Sequence, residues 1–421
     1  MGLSPRQVLE ARAVAAVLPF RLNPYVVEEL IDWADIPSDP IFRLTFPQRE
    51  MLAPCDFDAM VALIGDEAPP AVVEAAATTI RARLNPHPSG QRELNVPRFE
   101  GTPLAGAQHK YADTLLVFPA EGQTCHAYCG YCFRWAQFVG PREGRFASND
   151  PARIAAYVRA HQEITDVLLT GGDPLVARAS VLRSHLEPLL APDLERVNIR
   201  IGTKAPVYWP HRFLGDRDAE ALLRLFEEVI ARGRHLTLVL HASHPRELGT
   251  EAAQKALARI LATGAVVRCQ APVVRHVNDS AETWAELWSR QVRLGAIPYY
   301  MFVERDTGPS RYYELPISRA LEIFERASAQ VSGLAQTVRG PVMSAVPGKV
   351  LVDGTVRVKG ERAFVLKLIR ARERERAGEV FLARHDERAT WLNQLRSLDG
   401  DWSGELDRGE DQAATSRLVV A

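Results

Sequence analysis

The sequence predicts an α/β fold organised on a parallel sheet, and three observations carry that prediction. Six short β-branched or Leu-rich runs recur through the middle of the chain. Amphipathic helical stretches separate them, and most successive runs begin about 30 residues apart. The runs are Thr114–Phe118, Asp166–Thr170, Val197–Ile201, Leu236–Leu240, Val266–Cys269 and Tyr299–Val303. Six βα units make either an open doubly wound sheet or an incomplete barrel, and periodicity does not choose between them.

Residues 1–105 read as an N-terminal helical region, with helical patches at Pro24–Trp33 and Ala71–Arg83. Residues 106–315 hold the βα series. Within it, Asp150-Pro151 is a helix start, an N-cap followed by proline at the first helical position. Arg217–Arg232 carries apolar residues at Ala221, Leu222, Leu225, Phe226 and Ile230, and Gly233 ends it. Residues 316–421 form a C-terminal region that opens with a helix. There Val350–Val358 alternates around Asp353-Gly354, which predicts a hairpin turning at that pair with Lys349 at its entrance. Arg370–Arg376 alternates in sign and is expected to be a solvated helix face. The tail from about Asp399 is polar and expected to be loosely ordered.

Composition narrows the function. The 421 residues are 47% apolar and 24% charged, ordinary for a globular protein with a core. Lys plus Arg (51) nearly cancels Asp plus Glu (52), so no charge excess points to nucleic acid or an acidic membrane. No apolar run approaches the roughly 18–20 residues that span a bilayer. Five cysteines, three of them in one cluster, do not make a secreted disulfide framework. A cytoplasmic protein is expected.

The cluster is Cys125, Cys129 and Cys132, spaced C-x3-C-x2-C just after the first strand run. Three thiolates from one loop can hold three irons of a [4Fe–4S] cluster and leave the fourth open to a non-protein ligand, whereas electron-transfer clusters are usually closed by four cysteines. The alternatives are a zinc site that borrows Cys269 or His126, or buried thiols. Other polar residues also fall where strand runs end: Gly171-Gly172-Asp173, Lys204, His241, Gln270 and Glu304–Asp306. In a barrel, those loops carry the site.

With Tyr131 before the last cysteine, the motif resembles the radical S-adenosylmethionine enzymes. Longer strings resemble the lysine 2,3-aminomutase family: Leu18-Pro-Phe-Arg-Leu-Asn-Pro-Tyr25, Leu30-Ile-Asp-Trp33, Phe46-Pro-Gln-Arg-Glu-Met51, His109-Lys110-Tyr111, Val277-Asn278-Asp279 and Pro298-Tyr299-Tyr300. The resemblance runs from about residue 15 to 350. It implies a partial barrel of six βα units and an intramolecular amino shift from Cα to Cβ, begun when a 5′-deoxyadenosyl radical takes the Cβ hydrogen. It implies S-adenosylmethionine held by the open iron, with Tyr131, Gly171, Gly172 and Asp173 around it. It further implies pyridoxal 5′-phosphate on Lys349, in Pro347-Gly348-Lys349, and a clamp for the substrate carboxylate at Arg134. An amino acid substrate and a reductant such as flavodoxin or ferredoxin follow.

The chain also departs from the family. The lysine enzymes hold the distal ammonium with two aspartates; Arg305 stands at one, with Asp306 next to it, and the other falls near Ala345. Arg305 and Arg339 would instead suit an acidic distal group, so the expected substrate is not lysine. An arginine pair that the family uses for pyridoxal phosphate is replaced by Lys110 and Thr114. No cysteine follows Cys269, so no zinc is expected and the subunit arrangement is left open, a homo-oligomer included. His241 and Gln270 are candidates to line the pocket. Two rival readings are a hydrogen-abstracting enzyme without pyridoxal phosphate, and an iron–sulfur electron carrier or sensor.

Overall fold

The computed structural model describes residues 2–86, 95–139 and 146–398; the tail from Asp399 lies outside them. Strands β1 (Ala107–Tyr111), β2 (Thr114–Val117), β3 (Asp166–Leu169), β4 (Asn198–Thr203), β5 (Leu236–His241), β6 (Val266–Val273), β7 (Ile297–Val303), β8 (Arg339–Ser344), β9 (Gly348–Val358), β10 (Glu361–Ala371) and β11 (Val380–Arg384) form one sheet. They lie in it in strict chain order. β2 through β8 pair in parallel; β1 and β9–β11 are antiparallel additions.

Strand order decides between the two architectures. A doubly wound sheet reverses its order at a switch point. Here there is no reversal, and right-handed crossovers then put every helix on one side and curl the sheet around the other. The crossover helices are α5 (Pro151–Ala160), α6 (Ala179–Leu186), α7 (Ala219–Ala231), α8 (Glu251–Ala262), α9 (Ala281–Arg293) and α10 (Ile317–Ser328), after α1 (Pro5–Ala15), α2 (Pro40–Thr45), α3 (Pro54–Gly65) and α4 (Pro70–Leu84) in the N-terminal region. The result is a partial (β/α)6 barrel with a seventh parallel strand, β8. Its ends meet through side chains rather than a backbone ladder. Arg370 of β10 donates to Thr114 Oγ1 at 3.1 Å and pairs with Asp113, while Lys110 of β1 bonds the carbonyl of Ala345 between β8 and β9.

The helices form where the pattern predicted. Asp150 caps α5, accepting from the Arg153 amide at 2.9 Å. α7 buries Leu222, Leu225, Phe226 and Val229 against the sheet, each contributing about 1.5–3 kcal/mol. Gly233 follows α7 with φ +74°, a left-handed conformation that costs glycine little. The Pro24–Trp33 patch is shorter than expected, a single π-helical turn over Val26–Leu30.

Two C-terminal expectations are corrected. Asp353-Gly354 is not a turn. β9 runs on to Val358, its register against β10 shifts between Val352 and Gly354, and the chain reverses at Lys359-Gly360. A bulge carries the same Asp-Gly signature as a hairpin. Nor is Arg370–Arg376 a solvated helix: Arg370 and Ala371 end β10, and only Arg374–Arg376 makes a short 3-10 turn.

Candidate active site

A cavity of about 320 Å³ occupies the inside of the curl. Side chains from both ends of the sheet line it, together with the residues that follow Cys129 and Cys132.

The cysteine loop is held in place by the N-terminal region. Tyr128 N donates to Arg21 O at 3.0 Å and Gly130 N to Leu44 O at 2.8 Å. Arg21 Nη1 donates to Thr124 Oγ1 at 2.9 Å and Cys125 O at 3.2 Å. From below, the amides of Gly172 and Asp173 donate to Gly122 O at 2.9 and 3.1 Å, and Asp173 N also reaches Thr124 O at 2.9 Å. That approach requires glycine: a Cβ on Gly172 would run into the Thr124 backbone.

Cys125, Cys129 and Cys132 are half-buried free thiols. Burial first, and then their mutual repulsion for Cys125 and Cys132, raises their pKa values, to about 11 for Cys129 and about 12 for Cys132. Such thiols become thiolates only beside a cation, which a cluster's irons would supply. Among the described residues, no three His, Cys, Asp or Glu side chains converge closely enough to hold a single metal ion. A four-iron cluster does not ask for that convergence, since each thiolate takes its own iron. Cys269 is buried in the core, and His126 donates through Nε2 to Asp173 at 3.1 Å.

Asp173, expected around S-adenosylmethionine, is bonded to its own protein neighbours. It is 2% exposed, and its carboxylate accepts from His126, from Thr203 Oγ1 at 2.9 Å, and from the amides of Lys204 at 2.9 Å and Leu175 at 3.0 Å. Those bonds hold its pKa below the usual carboxylate value even though burial, the largest single effect, pushes it up. It ties the glycine loop to the end of β4 and does not line the cavity.

Tyr131 and Arg134 do line it. Tyr131 is buried, with its hydroxyl 2.7 Å from Ser243 Oγ. Arg134 is 5% exposed, lies 4.2 Å from the Phe118 ring centre, and donates through Nη2 to Gln123 Oε1 at 3.2 Å. Its Nε has no partner, and no carboxylate pairs with it among the described residues. Burial lowers its pKa to about 10, partly offset by Cys132 and Cys125. A buried guanidinium without a counter-ion costs several kcal/mol.

Lys349 reaches the cavity from the first residues of β9. Its Nζ lies 3.9 Å from the Tyr300 ring centre and 4.7 Å from that of Phe302. Burial, then the guanidiniums of Arg370, Arg200 and Arg339, lower its pKa to about 7, so much of it is neutral amine at neutral pH. Gly348 is needed beside it, because a Cβ there would strike the Arg370 carbonyl.

Lys110, His241, Gln270 and Arg305 line the same cavity. Gln270 Nε2 lies 2.8 Å from His241 Nε2, so with the amide donating, the ring proton sits on Nδ1. Burial, then Lys204, lower the His241 pKa to about 4, which keeps the ring neutral. Asp306 and Arg339, both expected at the pocket, do not line it. Asp306 follows β7 one residue beyond Arg305, and Arg339 starts β8 on the exposed side, behind Tyr300. Six basic side chains face the cavity: Lys110, Arg134, Arg200, Arg305, Lys349 and Arg370. Glu304 is the one acid on its described lining, and burial raises its pKa well above the usual carboxylate value.

No protein-family model matches the chain. It is 31% identical over 398 residues to a putative L-lysine 2,3-aminomutase of Aquifex aeolicus, a match that covers 94% of this chain and 93% of that protein. The chain belongs to the lysine 2,3-aminomutase family of the radical S-adenosylmethionine superfamily. Other members match over a shorter length. L-lysine 2,3-aminomutase of Bacillus subtilis is 31% identical over 237 residues, 56% of this chain and 47% of its own. That of Escherichia coli is 28% identical over 265 residues, 61% of this chain and 73% of its own. Solved structures are more distant. Streptococcus suis SuiB bound to S-adenosylmethionine aligns with TM-score 0.38 at 15% identity, covering 62% of this chain and 52% of that one. A radical SAM methyltransferase from Sphaerobacter thermophilus aligns with TM-score 0.38 at 14% identity, covering 64% and 89%.

Sequence reasoning passed over Arg200 and Arg370, both on the cavity wall. Arg200 stands between buried Ile199 and Ile201 in a parallel strand, where a charge facing the inside of the sheet is itself a pocket signal. Arg370 closes an alternating run, with Phe364, Leu366 and Leu368 buried, that continues past the expected hairpin.

Proposed function

We propose that the protein is an amino acid 2,3-aminomutase whose substrate carries an acidic rather than a cationic distal group. The observation that carries this reading is the cavity itself. Its lining brings together a buried guanidinium without a carboxylate, Arg134, beside the cysteine loop, and a largely neutral amine, Lys349. Membership of the lysine 2,3-aminomutase family supports it.

On this reading Cys125, Cys129 and Cys132 hold a [4Fe–4S] cluster. Tyr131 and the Gly171-Gly172 backbone would hold S-adenosylmethionine, with Asp173 ordering that loop. When bound, cluster and S-adenosylmethionine supply a one-electron route to a carbon radical, and pyridoxal 5′-phosphate supplies an aldehyde that carries the amino group. Arg134 takes the substrate carboxylate through two parallel N–H donors and so fixes the β-carbon. Lys349 is the amine that holds pyridoxal phosphate between turnovers; Tyr300 and Phe302 shield it from water. His241 stays neutral and offers Nδ1–H.

Arg305 meets the distal group. Glu304, whose burial disfavours its charged form, is a poor counter-ion for a distal ammonium such as lysine carries. A flavodoxin- or ferredoxin-type donor would reduce the cluster. The same reading divides the chain into residues 1–105, the barrel at 106–315, and 316–421, which brings the lysine. No helix among the described residues is long and apolar enough to cross a membrane.

The test is an anaerobic product screen after iron and sulfide reconstitution, with S-adenosylmethionine, reductant and pyridoxal phosphate. Conversion of glutamate or another acidic amino acid to its β-isomer is expected. 5′-Deoxyadenosine without any β-amino acid overturns the aminomutase reading, and lysine as the preferred substrate overturns the distal assignment.

A further inference from the structure

A second cavity, of about 570 Å³, shares no residue with the first. It lies between the N-terminal helices and the segments that follow β6 and β7. Four guanidiniums line it: Arg43 in α2, Arg49 just beyond it, Arg275 after β6 and Arg311 after β7; its carboxylates are Glu10 and Glu50. Pairing takes one charge of each sign out of that set, since Glu10 holds Arg6 at 3.0 Å and Asp58 holds Arg49 at 3.7 Å. Arg275 and Arg311 make no ion pair among the described residues. Arg43 donates to Pro37 O and approaches His276 Nδ1, each at 2.7 Å. His276 adopts φ +70° there, with its ring 4.5 Å from that of Tyr312. Three guanidiniums thus face one carboxylate, Glu50, in a cavity whose exposed Arg49, Glu50 and Arg311 open it to solvent.

This cavity leads to the cysteine loop by a route of its own. Phe46 and Pro47 line both it and a small recess whose wall includes Tyr128, Cys129 and Gly130. No residue of that recess lines the active-site cavity. Tyr313, two residues after Arg311, donates its hydroxyl to Arg43 O at 2.7 Å and lies so close to Gly130 that a Cβ there would strike it. We propose that this basic cavity is the docking surface for an acidic one-electron donor protein, which reduces the cluster through the recess at Cys129. The inference rests on the cluster reading above and names the surface that its flavodoxin- or ferredoxin-type donor uses. One electron leaves the donor's reduced flavin or iron–sulfur centre and enters the oxidised cluster; no bond forms or breaks. Substrate and S-adenosylmethionine fill the other approach on that reading. Complementary charge both speeds the encounter of two such proteins and orients it.

The test uses the reconstituted full chain and two readouts. Calorimetry gives Kd for an acidic flavodoxin and, in parallel, an acidic ferredoxin. Freeze-quench electron paramagnetic resonance times the appearance of reduced cluster with each reduced donor and with reduced methyl viologen, a small cation. Arg275→Glu/Arg311→Glu should weaken donor binding and slow reduction by the donor, each by about tenfold or more at low ionic strength, with the difference shrinking at about 0.5 M salt. Arg311→Glu alone, at an exposed position, should show the same selective loss at smaller size. Arg224→Glu makes the same charge change on the exposed face of α7, outside the cavity, and should stay within about twofold of wild type. Methyl viologen should reduce every variant as fast as wild type. Equal binding and reduction in all variants, an equal loss in Arg224→Glu, or no binding of either donor to wild type overturns the docking surface. A change in oligomeric mass of Arg275→Glu/Arg311→Glu with donor binding intact gives the surface to a second copy of the chain, and overturns it as well. If the chain takes up no iron–sulfur cluster, the cluster reading falls separately. Kd then decides the surface: a loss of about tenfold in the double variant supports it, and an unchanged Kd overturns it.

Discussion

Replacing Lys349 by methionine should stabilise the cofactor-free protein at acid and neutral pH, and the gain should vanish in alkali. The lysine pKa falls from 10.5 to about 7 on folding, chiefly through burial and then through Arg370, Arg200 and Arg339. Between those two values the unfolded chain holds a proton that the folded chain has released, so stability rises with pH across that window. Below about pH 7 the full penalty is present; above 10.5 there is none. Three and a half units at about 1.36 kcal/mol each give about 5 kcal/mol as an upper figure, and water entering the cavity reduces it to about 2–4 kcal/mol. Methionine keeps the length and packs on Tyr300 and Phe302 without a charge. An unfolding entropy of about 2.1 cal/mol/K per residue makes 1 kcal/mol worth about 1.2 °C in a chain of this size. Thermal scans at pH 6 should therefore place the variant about 2–5 °C above wild type, with the curves converging by about pH 10.5. Equal Tm values at pH 6, or a difference independent of pH, would refute the buried, charge-crowded amine.

Cys125→Ala should abolish iron–sulfur absorption after reconstitution while leaving the far-ultraviolet circular dichroism unchanged. Arg134→Met should lower kcat/KM for the substrate by about 10- to 100-fold, the loss of one or two charge-assisted hydrogen bonds, and should leave Tm equal or higher because an unpaired buried charge goes with it. Gly172→Ala should cost more than about 2 kcal/mol, read as a lower Tm, because its methyl has only the Thr124 backbone to push against. Arg305→Asp should shift preference by at least about tenfold toward amino acids with a distal ammonium, measured as a ratio of kcat/KM values for lysine and glutamate.

The barrel was legible because its helices carry apolar stripes marked off by local signals, a side-chain-capped start at α5 and a glycine stop after α7. What the repeat could not supply was strand order, and only that order excludes a doubly wound sheet. The cysteine spacing and the glycine pair are local, so they could be read directly; the hydrogen bonds from Gly172 and Asp173 to Gly122 and Thr124 then join the two loops. Asp173 was expected around S-adenosylmethionine, but its partners Thr203 and Lys204 lie at the end of another strand and are not visible from its neighbours. Arg370 was misread for a similar reason. A charge-alternating stretch looks solvated until the sheet curls and brings its first residue against Thr114. Asp353-Gly354 shows the limit of a dipeptide signal, since bulge and turn both accept it.

The central claim is that Arg134 and Lys349 face one substrate across one cavity. The most direct measurement is the product mixture formed anaerobically from 13C-labelled glutamate by reconstituted wild type, Arg134→Met and Lys349→Met. Wild type should give β-glutamate together with 5′-deoxyadenosine. Lys349→Met should give no β-amino acid, and Arg134→Met a yield about 10- to 100-fold lower. β-Glutamate formed equally well by wild type and both variants would contradict the account.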